Sequence, residues 1–504
     1  MRLHSILAAV LAMPLLAVAL PDQPFPSAKL AANHPAAVEF SWTPLRMPNG
    51  ERIALAGGSY LLAFNEDWGF GPSVYGAAQG NFGGLFTAGF TAQRRWRLSP
   101  GTHLAAGLYA GAGGGVSSDQ VRFGGGLMLR PEISLRADFG PWYAGAALAQ
   151  IRFPSGNISG SSFGLVLGRM TSFASFDPVD SGRQGRAAVR TGLGMDEITL
   201  FLGADKPSGS NRNRSGQPSL GRMGKAGAEL RQYIDRGSWW SVEGAGAAQG
   251  GADGYMELLA GAGQDWALFG SSLRIGGQLA AGLGGGGNLD TGNGWLLRAG
   301  PSLRWLTPWG ATLRLDGGLT RAPSGHFSSN YLRIGLSLPL DGSAAGFDRL
   351  GDEGRVVHLN QLFVSVQQLP RLRFKDGSSD AVTHLATLMT RELTPSLYGV
   401  AQAGSAAIGH AGAYSFGLFG LGLQTTQNFA STRFGIEALI GAAGGGGVAV
   451  GGGAVLQAEA WAAWAFGDGD RLRLRAGLGQ WRSLRDASQS SPLLNLSLGY
   501  GFGT

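Results

Sequence analysis

A glycine block that occurs three times decides the fold of this sequence: residues 104–115 (LAAGLYAGAGGG), 279–287 (LAAGLGGGG) and 438–447 (ALIGAAGGGG). A strand-like run enters each block, and after a short gap a second run leaves it, at 124–135 (GGGLMLRPEISL), 292–303 (GNGWLLRAGPSL) and 451–461 (GGGAVLQAEAW). The copies are separated by the length of a small domain, which is too long for a solenoid repeat. The chain is therefore predicted to contain three homologous units.

The composition excludes several classes of protein. The 504 residues include 87 glycines without a three-residue period, and 44% of the chain is hydrophobic, which excludes collagen and argues against disorder. Charged residues are only 14%, below the usual share of a soluble protein. Cysteine is absent, so disulfide frameworks and thiolate sites are excluded. The net charge of +7 comes without a dense Lys/Arg run, so a nucleic-acid partner is not expected.

The N-terminus has the pattern of a secretory signal peptide. A basic start at Arg2 and His4 precedes an apolar centre and the A-x-A cleavage motif Ala17-Val18-Ala19. The predicted organisation is a signal peptide at 1–19, a flexible N-terminus at 20–35, and β units at 36–170, 187–340 and 355–504. A secreted, cysteine-free, glycine-rich chain fits a Gram-negative cell envelope.

Apolar residues alternate with small or polar ones along most of the mature chain, which predicts β-strands. In the last strand Leu494, Leu496 and Leu498 point one way, and Asn495 and Ser497 point the other. Each unit contains about eight such segments of the length of a tilted membrane strand. In the first unit they are predicted near 38–47, 51–64, 72–80, 84–97, 102–113, 121–137, 142–153 and 161–170.

The polar faces of these strands carry little charge and much Gly, Ala and Ser, unlike the outer face of a soluble sandwich. A barrel in lipid has the opposite arrangement, with its apolar face outward. Tryptophans near presumed strand ends suit interfacial girdles: Trp42, Trp68, Trp96, Trp142, Trp239, Trp240, Trp309 and Trp481. The predicted fold class is thus an all-β, transmembrane, antiparallel, up-and-down β-barrel.

The pattern leaves open whether the three eight-strand units form one barrel of about 24 strands or three tandem eight-stranded barrels. A small barrel needs bulk or ion pairs to fill its interior, and the inward faces are rich in Gly and Ala. We therefore favour one large barrel, with three small barrels as the alternative.

The last strand resembles the C-terminal assembly signal of bacterial outer-membrane β-barrel proteins in its alternating aromatics, Tyr500 and Phe502. Those proteins usually end on an aromatic residue, whereas Gly503 and Thr504 follow here. The resemblance implies an outer-membrane location, insertion by the barrel-assembly machinery, and contact with outer-membrane lipid and lipopolysaccharide.

The inward-facing charges are the candidate functional residues: Arg130, Glu132, Arg298, Arg304, Arg314, Asp316, Arg333, Arg433, Glu437, Arg471, Arg473 and Arg475. An arginine-lined wall would select anions in a pore. The alternative is a ladder of interior ion pairs that fixes strand register. The best candidates for lumen selectivity are Arg314, Arg333, Arg433, Arg471, Arg473 and Arg475.

One short stretch, His326-Phe-Ser328-Ser-Asn330, resembles the His-x-Ser-Asn segment of PagL-type lipid A deacylases, which implies a His base and a Ser nucleophile. An extra Ser interrupts the motif, and no acidic residue follows in the next strand. We therefore do not expect an enzyme. The scattered histidines predict no metal site, and we expect no cofactor.

The predicted function is a pore or export channel for solutes or polymer in the outer membrane. The alternatives are a non-conducting structural or surface barrel and a PagL-like lipid A deacylase.

Overall fold

The computed structural model describes residues 29–208, 213, 216–217, 221–268, 272–340, 355–426 and 432–504. The predicted signal peptide at 1–19 lies outside these residues. Antiparallel strands dominate the described chain, and its helical segments are single turns at Pro178–Asp180 and Asp468–Asp470. Searched over the same residues, no helix has the length and apolarity to cross a bilayer.

Each unit begins with a short strand and continues with eight long ones. The first has β1 (Lys29–Leu30), β2 (Ala32–Arg46), β3 (Arg52–Ala63), β4 (Trp68–Gln79), β5 (Phe86–Ser99), β6 (Thr102–Gly114), β7 (Leu127–Phe139), β8 (Trp142–Arg152) and β9 (Ser159–Ser175). The second has β10 (Gln184–Arg186), β11 (Glu197–Pro207), β12 (Met223–Tyr233), β13 (Ser238–Gln249), β14 (Met256–Leu268), β15 (Leu273–Gly285), β16 (Trp295–Leu306), β17 (Thr312–Arg321) and β18 (Ser328–Pro339). The third has β19 (Arg355–Val356), β20 (Leu359–Arg373), β21 (Ser379–Glu392), β22 (Leu397–Ile408), β23 (Ser415–Gln424), β24 (Thr432–Gly444), β25 (Ala454–Phe466), β26 (Leu472–Ser483) and β27 (Ser490–Gly503).

The eight long strands of each unit close on themselves. The last strand pairs antiparallel with the first in β9–β2, β18–β11 and β27–β20, giving three closed barrels, called here barrels 1, 2 and 3. The preference for one barrel of about 24 strands was therefore wrong, and the alternative of three tandem eight-stranded barrels is confirmed. Residues 32–35, predicted to be part of a flexible N-terminus, begin β2.

The error came from the estimate of interior bulk. Inward glycines do not leave empty space, because an aromatic ring from a neighbouring strand lies over each of several. The ring of Tyr143 covers Gly168, that of Tyr398 covers Gly422, and in barrel 2 Trp239 covers Gly263. Glycine pockets filled by cross-strand aromatics are a known way to build curved sheets. The small residues thus make room for large ones, and a narrow barrel is filled.

The outside of the barrels is apolar and exposed, whereas the inside is polar and buried. Phe163 is 76% exposed, Leu279 68% and Leu478 67%, yet Arg304 is 1% exposed. A soluble protein has the opposite arrangement, since a large apolar surface in water is unfavourable. Closure is required in lipid because an unpaired strand edge would leave backbone groups without hydrogen bonds.

The two ends of the barrels differ. At the end that carries the connections between units, here the joint end, barrel 1 has short turns at 64–67, 100–101 and 140–141. At the opposite end, the loop end, the connection at 115–126 is longer; it begins with Gly115, the last residue of the first glycine block, and ends with the three glycines 124–126. Among the predicted girdle tryptophans, Trp68, Trp96, Trp142 and Trp309 are exposed near the joint end, whereas Trp239 and Trp481 are buried inside barrels.

The three barrels pack against one another in a cyclic order. The third strand of each contacts the fifth strand of the next: β4 with β15, β13 with β24, and β22 with β6. The contact is closest between glycine loops at the loop end. Gly83 N–H donates to Gly292 O at 3.0 Å, and Gly412 N–H donates to Gly124 O at 3.0 Å. The repeated glycines thus lie where two backbones meet, as small residues do when membrane segments pack closely.

The connections between units add contacts at the joint end. The short strands β1, β10 and β19 form one three-stranded sheet that joins the three units. Phe176, in the first connection, exchanges two backbone hydrogen bonds with Gly503 of barrel 3, at 3.0 and 2.9 Å. The barrels are therefore held together at both ends.

Replacing Gly412 by Ala should weaken the packing of barrel 3 on barrel 1, because the new Cβ would collide with Gly124 O. We expect the free energy of unfolding to fall by about 1–3 kcal/mol, measured in detergent by tryptophan fluorescence. Gly417→Ala is the matched control in the same barrel, since nothing lies within 4 Å of its Cβ. Equal stability of the two variants would contradict the glycine interface.

Ala413 lies in the left-handed region at φ 75°, where the equivalent loops of barrels 1 and 2 have Gly84 at φ 92° and Gly254 at φ 91°. Ala413→Gly should therefore stabilise the protein by about 0.5–1 kcal/mol, because the Cβ strain is removed. The reverse change, Gly254→Ala, should destabilise it in the same unfolding assay. A loss of stability in Ala413→Gly would show that this strain is negligible.

Candidate functional site

The interior of barrel 2 contains a network of buried ion pairs. Arg333 contacts Asp316 at 2.7 Å, Glu243 at 2.5 Å and Glu229 at 3.1 Å. Arg314, on the neighbouring strand β17, contacts the same Glu229 at 2.9 Å and Asp316 at 2.9 Å. The two predicted selectivity residues of barrel 2 thus share their carboxylates with each other.

The network extends toward both ends of barrel 2. On the loop side, Arg298 binds Glu243 and lies 2.6 Å from Glu257, and Lys225 bridges Glu257 and Asp205 at 2.9 Å each. On the joint side, Arg304 contacts Glu197 at 2.8 Å and Asp265 at 2.7 Å. Cationic and acidic side chains therefore alternate along most of the barrel's length.

Barrel 3 has a smaller version of this arrangement. Arg475 contacts Glu437 at 2.6 Å and Glu459 at 3.0 Å, and Arg433 contacts Glu392 at 2.8 Å. Its buried apolar side chains form a cluster that includes Leu388, Leu418, Leu439, Trp461 and Trp481.

The three arginines 471, 473 and 475 do not form one lumen wall. Arg473 and Arg475 are buried on the inner face of β26. Arg471 precedes that strand, binds Asp177 of the first connection and donates to Tyr500 Oη at 2.9 Å. It therefore attaches the connection to barrel 3 from a position just before β26, outside the lumen wall, and a role in selectivity stays a prediction.

Barrel 1 uses fewer charges and more hydroxyl groups. Arg136 contacts Glu39 at 2.7 Å, and Tyr143 donates to the same carboxylate at 2.9 Å. Arg130 contacts Glu132 at 2.6 Å and lies over the ring of Tyr75, 5.0 Å from its centroid. Each buried charge is thus paired, as a low-dielectric interior requires.

This interior is packed rather than hollow. Arg314, Arg304, Glu257, Asp265 and Glu437 are almost completely inaccessible to water, although they face the barrel axes. A water-filled lumen would leave such side chains exposed. The arrangement fits the ion-pair alternative, and a role of these arginines in selectivity stays a prediction.

The acidic partners were mostly missed from sequence. Glu197, Glu229, Glu243, Glu257 and Asp265 have the inward parity of their strands, so the alternation that identified the arginines could have found them. Which carboxylate meets which guanidinium depends on barrel closure, since Arg304 and Glu197 are on strands distant in sequence.

His326 has an acidic partner that the sequence did not reveal. Its Nδ1 lies 2.5 Å from Oδ2 of Asp290, which comes from the preceding glycine loop rather than from the next strand. Burial acts to raise the pKa of Asp290, but hydrogen bonds from His326 and from the Gly292 N–H outweigh it, so the pKa lies below its ordinary value. A similar pair joins His410 and Asp380 in barrel 3, at 2.6 Å.

The predicted assembly signal takes part in contacts between barrels. The ring of Phe502 packs on Phe173 of barrel 1, with centroids 5.0 Å apart, and Tyr500 lies beside it. A role of Tyr500 and Phe502 in assembly stays a prediction. In the part of the chain that the structure describes, no group of three His, Asp or Glu residues could hold a metal ion.

No protein-family model matches the chain, and no curated protein is significantly similar to it. Solved structures that match the chain include OccK2 of Pseudomonas aeruginosa in complex with glucuronate, with 11% identity and a TM-score of 0.23 over 95% of this chain and all of that one. The ferric enterobactin receptor PfeA of the same organism has 10% identity and a TM-score of 0.28 over 95% of this chain and 82% of that one. The outer membrane protein OpdK has 10% identity and a TM-score of 0.22 over 94% and 99%. At these scores the backbones do not superpose, so no argument rests on them.

The geometry itself assigns the class. Three closed antiparallel barrels present an apolar, exposed exterior and enclose a polar interior, which is the arrangement of a barrel in a bilayer. The chain therefore has the fold of an outer-membrane-type β-barrel protein, and the Gram-negative outer membrane remains its predicted location.

Removing one cation from the barrel 2 network should be costly. Arg298→Met removes one of the two cations that contact each of Glu243 and Glu257, and we expect a loss of about 3–5 kcal/mol in the free energy of unfolding. Adding Glu243→Gln should recover part of it. The assay is denaturant unfolding in micelles, with the exposed Arg97→Met as control. A loss of less than about 1 kcal/mol would indicate a solvated, open interior.

Proposed function

We propose that the protein is a non-conducting outer-membrane assembly whose three barrels act as a rigid structural or surface platform. The observation that supports this most directly is the burial of the inward-facing charges. Arg304 and Asp265, whose side chains point into barrel 2, are nearly inaccessible to water. Eight strands close a cylinder that side chains fill, without an aqueous channel.

The pore that the sequence favoured would require this interior to open. In barrel 2, opening would separate Arg298 from Glu257 and Arg333 from Asp316, and each separation would leave buried charges without these ion-pair partners. In barrel 3 it would displace Trp461 and Trp481 from the apolar cluster. Both requirements oppose solute passage through an individual barrel.

The contacts between barrels support a rigid platform. The glycine loops meet by backbone hydrogen bonds at the loop end, and the connections join the barrels at the other end. Outer-membrane barrels keep short turns in the periplasm and longer loops outside, so the loop end faces the cell exterior in this proposal. The exterior surface is then a set of interlocked, glycine-rich loops.

The deacylase alternative has one favourable observation, the contact between His326 and Asp290. Such a pair orients a catalytic imidazole in hydrolases. However, His410 and Asp380 form the same pair in barrel 3, where the sequence continues as Ala411-Gly-Ala-Tyr414 without the Ser-Asn element. A role in holding a loop against the adjacent segment of its barrel accounts for both pairs. We therefore do not propose an enzyme.

Purified protein in planar lipid bilayers should give no stepwise ion conductance, because the inward side chains of the described strands are buried and fill the barrels. A porin reconstituted in the same way is the positive control, and solute entry into proteoliposomes provides a second readout. Reproducible anion-selective steps that disappear in Arg475→Ser would overturn the proposal and restore the pore.

A further inference from the structure

Each barrel has an exposed arginine at the loop end of its seventh strand. These arginines are Arg152 on β8, Arg321 on β17 and Arg482 on β26. They have the outward parity of their strands and lie opposite the serine that begins or nearly begins the eighth strand: Ser159, Ser328 and Ser490. One outward arginine therefore recurs at the same register in all three barrels.

A second basic side chain lies on the other side of the eighth strand. It stands near the loop end of the first strand of each barrel, as Arg46, Lys206 and Arg371, and is exposed in each case. Lys206 pairs in register with Asn330, and the backbone N–H of Arg371 donates to Ser491 Oγ at 3.1 Å. The two basic residues are two strand spacings apart, about 10 Å across the sheet, and in barrel 2 they are offset by two residues along it, about 7 Å; long side chains can span this separation from both sides.

These six basic residues form no ion pair with any residue that the structure describes, in contrast to the arginines of the barrel interiors. In barrel 1 the charge is increased further, because Arg46 lies directly opposite Arg52 across the β2–β3 ladder. Like charges directly opposite each other destabilise a sheet. An anion between them would remove this cost.

The surroundings locate the six residues at the edge of the hydrocarbon. The outward neighbours of the seventh-strand arginines on the sixth strands are Leu129, Leu297 and Leu456. Farther along the eighth strands, Phe163, Leu332 and Leu494 face the same side and are exposed. An arginine has a high free-energy cost at the bilayer midplane and a low one near the interface. The six basic residues are therefore expected to lie at the depth of the lipid headgroups.

We propose that each basic pair binds a phosphate group on the headgroup of an anionic phosphorylated lipid in the outer leaflet, with one site per barrel. Guanidinium groups match phosphate oxygens in geometry as well as charge, and the intervening polar strand residues add hydrogen-bonding capacity. The acyl chains of the same lipid would lie along the apolar strand residues below. The assignment of leaflet rests on the orientation in the proposed function.

The test uses the full-length protein in detergent, with bisphosphorylated lipid A as the probe. Binding is followed by the shift in thermal unfolding temperature and by the amount of lipid A that co-elutes per chain. The triple variant Arg152→Gln, Arg321→Gln and Arg482→Gln should bind at least about tenfold more weakly, because each site loses a charge-assisted contact. Replacing the same three residues by Lys should retain most of the affinity and shows whether the Gln variant fails only through misfolding.

The matched control removes three exposed arginines from the joint end, as Arg97→Gln, Arg169→Gln and Arg236→Gln, and should leave binding unchanged. If the control variant lost as much lipid A binding as the first variant, the effect would come from net charge alone, and the proposed sites would be wrong. If dephosphorylated lipid A, or inorganic phosphate alone, raised the thermal unfolding temperature as much as bisphosphorylated lipid A does, the proposal of a phosphorylated lipid as the ligand would be wrong. Membrane insertion and conductance are measured separately on the same variants. A failure of the platform proposal can therefore be distinguished from a failure of the lipid-binding proposal.

Discussion

The structure depends on the pairing of the last strand of each barrel with the first strand of the same barrel. In a bilayer no water can satisfy an open sheet edge, so each sheet must either close or join another. Closure at eight strands fixes a narrow cylinder, and this radius determines what the inward side chains must do. The apolar exterior, the packed interior and the number of barrels all follow from the β9–β2, β18–β11 and β27–β20 ladders.

A narrow barrel leaves no room for solvent around its inward charges, so they must neutralise one another. The three barrels meet this requirement differently. Barrel 2 relies on a continuous ion-pair network centred on Arg298 and Arg333, barrel 3 combines Arg475 with an apolar cluster, and barrel 1 uses Arg136 with tyrosine hydroxyl groups. The three interiors differ in chemistry although the barrels have the same number of strands. This difference indicates that each interior must be filled by side chains, whereas the kind of side chain can vary. A shared transport path would not be expected to tolerate that variation.

The glycines have two distinct structural roles. Those within strands, such as Gly168 and Gly422, make room for an aromatic ring inside a barrel. Those in the connections at the loop end, such as Gly83 and Gly412, let the backbone of one barrel approach the next. The cyclic order of contacts makes the chain a covalent trimer of barrels. Three copies of one unit suffice because each carries both halves of the interface, on its third and fifth strands.

The sequence by itself determined the all-β class, the three units of eight strands, and most strand positions. Period-two alternation is a local signal, and it is strong here because one face of each strand is apolar. Residues 142–153 were predicted as a strand, and Trp142–Arg152 is one. It also placed Arg314, Arg333 and Arg475 on inner faces. Only the tertiary structure decided the closure at eight strands, the partners of those arginines, the contact of His326 with Asp290 and the place of Arg471 outside the lumen. Each of these depends on groups brought together by ladders or loops far apart in the chain, and alternation within one strand carries no information about which distant edge that strand will meet.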